Sequence, residues 1–361
     1  MSNEAAISLL AVGTALPPHV VWQAEAAAFA LRHFGGRLAR HRQLLSIFPN
    51  TRIAKRHFVV PLHWFETPHH GLKERNDIYL RTAEALSLAA ARQALARANL
   101  APEAVDLVVF VSTTGLATPS LDARLIECLG MRRTTRRLPI WGLGCAGGVA
   151  GLARAAEFTR AHPGTTALLV AVETSSLTFQ FEDYSKKNFV ASALFADGAA
   201  AAVLTSDPAR QGRLRYIGAY SMLFPNSAHV MGWDVLDSGF SVVFAPEIPA
   251  RIARDLQPVV AACLAAHNQP REAVRYYALH PGGARVLDAY AEAFDLTAED
   301  LRAAHDVLRE YGNMSSPTVL FVLERLLREP ALEPGALVLM GALGPGFSAE
   351  LALFQVQDAS Q

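Results

Sequence analysis

The stretch Leu138-Pro-Ile-Trp-Gly-Leu-Gly-Cys145-Ala-Gly-Gly-Val-Ala-Gly-Leu152 changes character at its centre. Its first residues are mostly apolar, its last are small and helix-forming, and a glycine-rich turn containing Cys145 joins them. The pattern predicts a strand over 138–143 and a helix over 146–161. A strand that turns directly into a helix is the repeating unit of layered α/β proteins, so this segment decides the fold class. It also carries chemistry. The positive end of a helix stabilises an anion, so a thiol placed there can have its pKa lowered toward neutrality. Glycines on both sides let the backbone bend sharply and let a substrate carbonyl approach main-chain N–H groups.

Two other readings compete for the same residues. Gly142, Gly144 and Gly147 satisfy G-x-G-x-x-G, the pattern of a dinucleotide-binding turn. That pattern expects an acid about 20 residues on, and the acid that ends the next strand, Glu173, lies 26 beyond Gly147. The segment also starts deep in the chain, with the cysteine occupying the turn. The second reading is an inert cysteine that packs a helix against a sheet, the usual fate of a buried thiol. From this segment alone the inert and reactive readings both stand.

Outward from Cys145 the alternation continues. Strands are predicted at 5–14, 106–112, 166–173, 276–280, 336–341 and 349–356, and helices at 82–99, 120–129, 248–267, 283–294 and 315–327. Two α/β halves of similar content result, with a junction near residues 206–212. Residues 34–80, rich in His, Arg and Pro, read as an irregular insertion over the body.

Composition narrows the function classes. Of 361 residues 51% are apolar and 18% charged, ample for a large core, and Lys plus Arg equals Asp plus Glu at 33 each. A chain with zero formal net charge has no global attraction to nucleic acid or to an anionic membrane. Met1-Ser2-Asn3-Glu4 has an acid where a secretory leader would carry basic residues, and no apolar run is long enough for a membrane span. Cys128, Cys145 and Cys263 are odd in number and widely spaced, so neither a disulfide framework nor a zinc pattern is expected. His63, His69 and His70 show no metal-ligand spacing. A protein of the reducing cytoplasm fits best.

A reactive thiol needs a base to ionise it and a group that steadies charge on the substrate. His280 closes a predicted strand and is followed by Pro281-Gly282-Gly283, where α/β proteins place active-site loops. Asn313, in Gly312-Asn313-Met-Ser-Ser, precedes an amphipathic helix. Taken singly, a core histidine and a helix-capping asparagine explain these two residues as well.

Together, Gly142-Leu-Gly-Cys145-Ala-Gly-Gly, Leu279-His280-Pro-Gly-Gly and Gly312-Asn313-Met-Ser-Ser resemble the Cys, His and Asn motifs of type III polyketide synthases. These are the chalcone-synthase-like branch of the thiolase superfamily. Gly341-Ala-Leu-Gly344-Pro345-Gly346-Phe347 is similar to the family's GFGPG loop, and Val111-Ser-Thr113-Thr114-Gly115 and Leu194-Phe-Ala-Asp197-Gly198 agree with it. The resemblance runs from about residue 6 to residue 356. It implies a thiolase fold, duplicated α/β halves in a layered αβαβα arrangement, with an N-terminal half at 1–210 carrying Cys145 and a C-terminal half at 211–361 carrying His280 and Asn313.

The same resemblance implies an acyltransferase. Cys145 takes an acyl group from a starter coenzyme A thioester, and malonyl-CoA loses carbon dioxide and attacks it in repeated Claisen condensations. His280 and Asn313 assist, and no metal or redox cofactor takes part. Phe179 matches the first gatekeeper phenylalanine beside the cysteine. Val242 stands where the second gatekeeper would be aromatic, which widens the gate. Thr113, Thr114, Ser315 and the Gly344-Pro345-Gly346 loop match substrate-pocket positions, and Lys55 with Arg56 could contact coenzyme A phosphates. Thr118-Pro119 matches a loop that crosses a homodimer interface in the family. Arg56-His-Phe-Val-Val-Pro and Lys73-Glu-Arg-Asn-Asp-Ile-Tyr look closest to bacterial members that take fatty starters and make alkylpyrones or alkylresorcinols. A ketoacyl-carrier-protein synthase III, with one condensation by the same trio, is the alternative; the Gly344-Pro345-Gly346 loop and the Asn313-Met-Ser-Ser sequence stand against it.

Overall fold

The computed structural model describes residues 5–34, 46–67, 70–329 and 332–358. Met1 to Glu4 and His69, both read above, lie outside the described residues. In chain order the first half holds β1 (Ile7–Ala15), β2 (His19–Trp22), α1 (Gln23–Phe34), α2 (Ile47–Asn50), β3 (Lys55–Phe58) and the long helix α3 (Leu72–Arg97). It continues with β4 (Leu107–Val111), α4 (Asp122–Leu129), β5 (Arg136–Ile140), α5 (Gly147–Ala161), β6 (Thr166–Thr174), α6 (Lys186–Leu194) and β7 (Asp197–Thr205). The second half begins with β8 (Leu214–Leu223), β9 (Met231–Leu236), β10 (Gly239–Phe244), α7 (Ile248–Ala266) and β11 (Val274–Leu279). It ends with α8 (Ala284–Phe294), α9 (Arg302–Tyr311), α10 (Thr318–Leu327), β12 (Leu337–Gly344) and β13 (Ser348–Val356).

Wholly buried runs such as Leu107-Val-Val-Phe-Val111 are what a strand covered on both faces requires. They assemble into one sheet of nine strands in the order β11-β12-β13-β8-β1-β7-β6-β4-β5. The sheet is itself a repeat. From the middle outward, the first half runs β1-β7-β6-β4-β5 and the second β8-β13-β12-β11, each with two antiparallel pairings followed by parallel pairing, two pairs in the first half and one in the second. In the sheet the halves are joined by a short seam, Ile7–Tyr216, Ser8–Arg215 and Leu9–Leu214, between β1 and β8.

Between them lie α5 and α10. α5 reads Gly-Gly-Val-Ala-Gly-Leu-Ala at its start and has no polar face there, and α10 begins Thr-Val-Leu-Phe-Val-Leu. A helix apolar nearly all round must be buried. α5 packs on β4 and β6 of one half and on β12 and β13 of the other, while α10 touches β11 and β12 as well as β7 and β1. Outside, α3 covers β1, β7 and β6, and α7 covers β8 and β13. The layers are therefore helix, sheet, central helices, sheet, helix.

Several sequence expectations shift. The strand before Cys145 ends at Ile140 and not at 143, because Gly142 takes a positive φ of 94° and turns the chain early. The helix expected from 315 starts at Thr318, since Ser315 has a φ of 60° that no helix accommodates. Residues 34–80 are not wholly irregular: they contribute α2, β3 and the first turns of α3. No helix among the described residues is long and apolar enough to cross a membrane.

Candidate active site

The parallel order of the two halves brings two loops together. Cys145 lies in the single turn Gly144–Ala146 immediately before α5, and Asn313 lies in the loop before α10. Cys145 Sγ is 3.5 Å from Ser315 Oγ and 4.0 Å from Asn313 Oδ1. Asn313 Oδ1 also accepts from Ser315 N–H at 2.8 Å, and its Nδ2 donates to Gly282 O at 3.1 Å. That last bond reaches the turn after β11 that carries His280, whose own N–H donates to Gly341 O at 2.8 Å. Three loops thus converge. One of the two amide hydrogens of Asn313 is left for a substrate.

The His280 ring is buried, and neither Nδ1 nor Nε2 finds a hydrogen-bond partner among the described residues. A buried imidazole with both nitrogens unpaired is rare in a structural role. Burial pushes it down to about 3, and burial pushes the Cys145 thiol up to about 11. Ser315 and Asn313 pull the thiol back only in part, and the nearby Glu173 raises it further. Each group alone therefore holds its neutral form at pH 7. Cys145 is only 8% exposed, which is why burial outweighs its hydrogen-bond partners.

Beneath the two loops sits Glu173, at the buried end of β6. Its Oε2 accepts from Thr113 N–H, Thr114 N–H and Thr114 Oγ1 at 2.9, 3.0 and 2.8 Å. Its Oε1 accepts from Ser316 Oγ at 2.7 Å. Thr113 Oγ1 in turn accepts from Gly144 N–H at 3.2 Å, beside Cys145. One carboxylate therefore ties the cysteine turn to the asparagine loop. Burial holds it up at about 7. Sequence reading noticed Glu173 only as an acid at the wrong spacing for a nucleotide.

Of the remaining predicted residues, Gly344 and Pro345 close over the cysteine turn. A Cβ on Gly344 would fall 2.3 Å from Leu143 O and 2.6 Å from Ala146 Cβ, so only glycine fits. Val242 lies on β10 opposite Trp233, which is 6.1 Å centroid to centroid from Phe195. Thr114 is a buttress: its hydroxyl donates to Glu173 and accepts from Thr174 N–H at 2.8 Å, which leaves it no proton for a substrate.

Two assignments are corrected. Phe179 stands among Phe29, His33, Phe34 and Phe65, with ring centroids 5.8 to 6.2 Å away, in an aromatic cluster under α1. The phenylalanine flanking the convergent loops is Phe195, which forms a parallel bridge with Asn313. Its signal was present in Leu194-Phe-Ala-Asp197, but only the fold shows what that segment touches. Arg56 cannot meet a coenzyme A phosphate with Lys55, because neighbours on a strand point to opposite faces. On β3, Lys55 is half-exposed beside Trp22, while Arg56 is 1% exposed and bonded to main-chain carbonyls.

The thiol, unpaired imidazole and amide at the mouth of two central helices define a condensing enzyme of the thiolase type. Matches to the family models support this along nearly the whole chain: residues 1–208 match the N-terminal domain of chalcone and stilbene synthases, and residues 216–356 the C-terminal domain. The chain belongs to the chalcone and stilbene synthase family, the type III polyketide synthases, which are decarboxylating acyltransferases. It is 42% identical over 357 residues to a putative chalcone synthase of Bacillus subtilis (strain 168), covering 96% of this chain and 98% of that one. It is 37% identical over 354 residues to a 1,3,6,8-tetrahydroxynaphthalene synthase of Streptomyces peucetius subsp. caesius, covering 96% and 93%. The crystal structure of the 1,3,6,8-tetrahydroxynaphthalene synthase of Streptomyces coelicolor A3(2) superposes with a TM-score of 0.92 at 33% identity, over 98% of this chain and 100% of that one.

Proposed function

We propose that Cys145 is the nucleophile, His280 its base and Asn313 the amide donor of an iterative polyketide synthase with an apolar acyl starter. The convergence of Cys145, Asn313 and the His280 turn carries this reading. His280 takes the thiol proton, and the thiolate attacks the starter thioester carbonyl and expels coenzyme A. Malonyl-CoA then loses its carboxylate as carbon dioxide, and the bonding pair becomes an enolate. His280 and the free Asn313 amide hydrogen donate to the enolate oxygen, each worth about 3 kcal/mol in the transition state. The enolate carbon attacks the Cys145 thioester and the thiolate leaves. Transfer of the extended chain back to Cys145 begins the next round.

An apolar starter, of the fatty type that closes to an alkylpyrone or alkylresorcinol, is supported by two features. Val242 stands where an aromatic would narrow the gate, and Phe195, which bridges to Asn313, also lines a cavity of about 40 Å³ with Phe29, Phe58, Leu62, Phe65 and Phe179. A long chain must displace some of these rings. Mass spectrometry of products from malonyl-CoA with a panel of acyl-CoA starters tests both parts. Products that keep an apolar starter and several malonyl-derived units are expected. A single-extension product would sink the iterative reading, and products lacking starter carbon would sink the apolar starter.

Two further assignments belong to the same reading. Lys55 contacts a coenzyme A phosphate, so Lys55→Ala raises KM for malonyl-CoA at unchanged kcat; an unchanged KM removes it. The working unit is a homodimer, with coenzyme A thioesters its only small-molecule partners. Its support is the open edge strand β5, which carries the exposed Leu138 and is followed by the 53% exposed Trp141, whose indole N–H donates to Gly115 O. Sedimentation of Trp141→Arg checks this, and a monomeric wild type would contradict it.

A further inference from the structure

Arg56 is a buried cation whose place has a pattern. Its Nη1 donates to Ser192 O at 2.7 Å and to Phe195 O at 2.8 Å, where α6 ends. The last carbonyls of a helix lack intrahelical partners and carry the negative end of its dipole, so a cation there satisfies both. Nε and Nη2 find no partner among the described residues, so these two bonds orient the guanidinium.

The segment that Arg56 holds is the one that holds Asn313. Leu194 O accepts from Asn313 N–H at 2.9 Å, and Ala196 N–H donates to Asn313 O at 2.8 Å. Asn313 is thus clipped on both sides of its backbone by residues 194–196. From the other direction the Arg56 stem packs against Gly312, where a Cβ would fall 2.7 Å from Cγ and 2.9 Å from Cδ. Asp197, the next residue along, supplies the countercharge. Its carboxylate accepts from Ser176 N–H, Ser176 Oγ and Val59 N–H at 2.7, 2.5 and 2.8 Å, which ties the clip to the residue after β3 and to the turn after β6. Burial pulls Arg56 down to about 9, with Asp197 opposing, so it remains a cation at neutral pH.

We propose that Arg56 is a positioning residue for the condensation, fixing residues 192–196 so that their backbone clip aims the Asn313 amide at the developing enolate. This rests on Asn313 being the amide donor, and the test separates the two ideas. Malonyl-CoA decarboxylation is measured for Arg56→Met, Arg56→Lys and Asn313→Ala at a temperature where circular dichroism shows each folded. Misplacing a group by about an ångström is enough for a loss of about tenfold or more. Arg56→Met is expected to lose that much in kcat, with KM for malonyl-CoA unchanged within about twofold. Arg56→Lys restores part of it. A folded Arg56→Met with wild-type kcat overturns the proposal, as does raised KM with unchanged kcat, the behaviour of a coenzyme A contact. Should Arg56→Met not fold, Arg56→Gln is read against the same limits. Wild-type decarboxylation in Asn313→Ala would instead remove the amide-donor reading on which the inference stands.

Discussion

The loops before α5 and α10 occupy the same place in the two halves, yet they are built in opposite ways. The Cys145 turn is held from outside. Thr113 bonds Gly144, the Gly344–Pro345 loop lies against residues 143–146, and Sγ itself has only long contacts to Ser315 and Asn313. The Asn313 loop is held through its own backbone, by two bonds to residues 194 and 196 and a further bond from Met314 N–H to Thr318 Oγ1 at 2.9 Å. The difference fits the proposed tasks. A nucleophile must shed one acyl group and accept another, whereas an oxyanion donor works only if it does not move.

Substitutions can break that comparison at several depths. The largest loss should come from Asn313→Ala, which lowers decarboxylation by about 10²- to 10³-fold while alkylation of Cys145 by iodoacetamide stays near wild type. Loss of both activities together would mean the two loops are not separable. Next comes His280→Ala. With no imidazolium to compensate burial, the thiol should titrate up toward about 11, and alkylation at pH 7 should fall about 10- to 10³-fold. An unchanged pH profile of alkylation would show that His280 is not the base.

The depth at which sequence reading fails follows the same line. Local signals found the elements: the strand-to-helix change around Cys145, the glycine turn after His280 and the polar loop at Asn313 all lie within a few residues of what they predict. What escaped depends on contacts between distant segments. Phe195 was inside a quoted motif, but its bridge to Asn313 spans more than a hundred residues of chain. Arg56 reads in the sequence as a coenzyme A phosphate contact alongside Lys55, and only the facing of β3 turns one of them inward. Glu173 escaped because its four hydrogen bonds come from two distant loops.

Smaller effects sharpen the contrast. Gly312 has a φ of +71° and sits against Arg56, so Gly312→Ala should destabilise the fold by about 1–3 kcal/mol. Urea unfolding reads this, and a neutral result would mean that the loop yields. Glu173→Gln should perturb turnover least but leave a sign in the pH dependence of stability. Burial raises the folded pKa of Glu173 from 4.5 to about 7, so its contribution is fullest below 4.5 and is lost as pH rises through about 7. Wild type should therefore lose stability relative to Glu173→Gln across that window and hold a constant difference above it. A flat difference from pH 4 to 8 would contradict a carboxyl held up by burial.

The central claim is that Cys145 carries the acyl chain. Intact-protein and peptide mass spectrometry after a single turnover with an acyl-CoA starter measures this most directly. One acyl adduct is expected, on Cys145, absent in Cys145→Ala together with all chain extension. An adduct on Cys128 or Cys263, or undiminished product from Cys145→Ala, would contradict it.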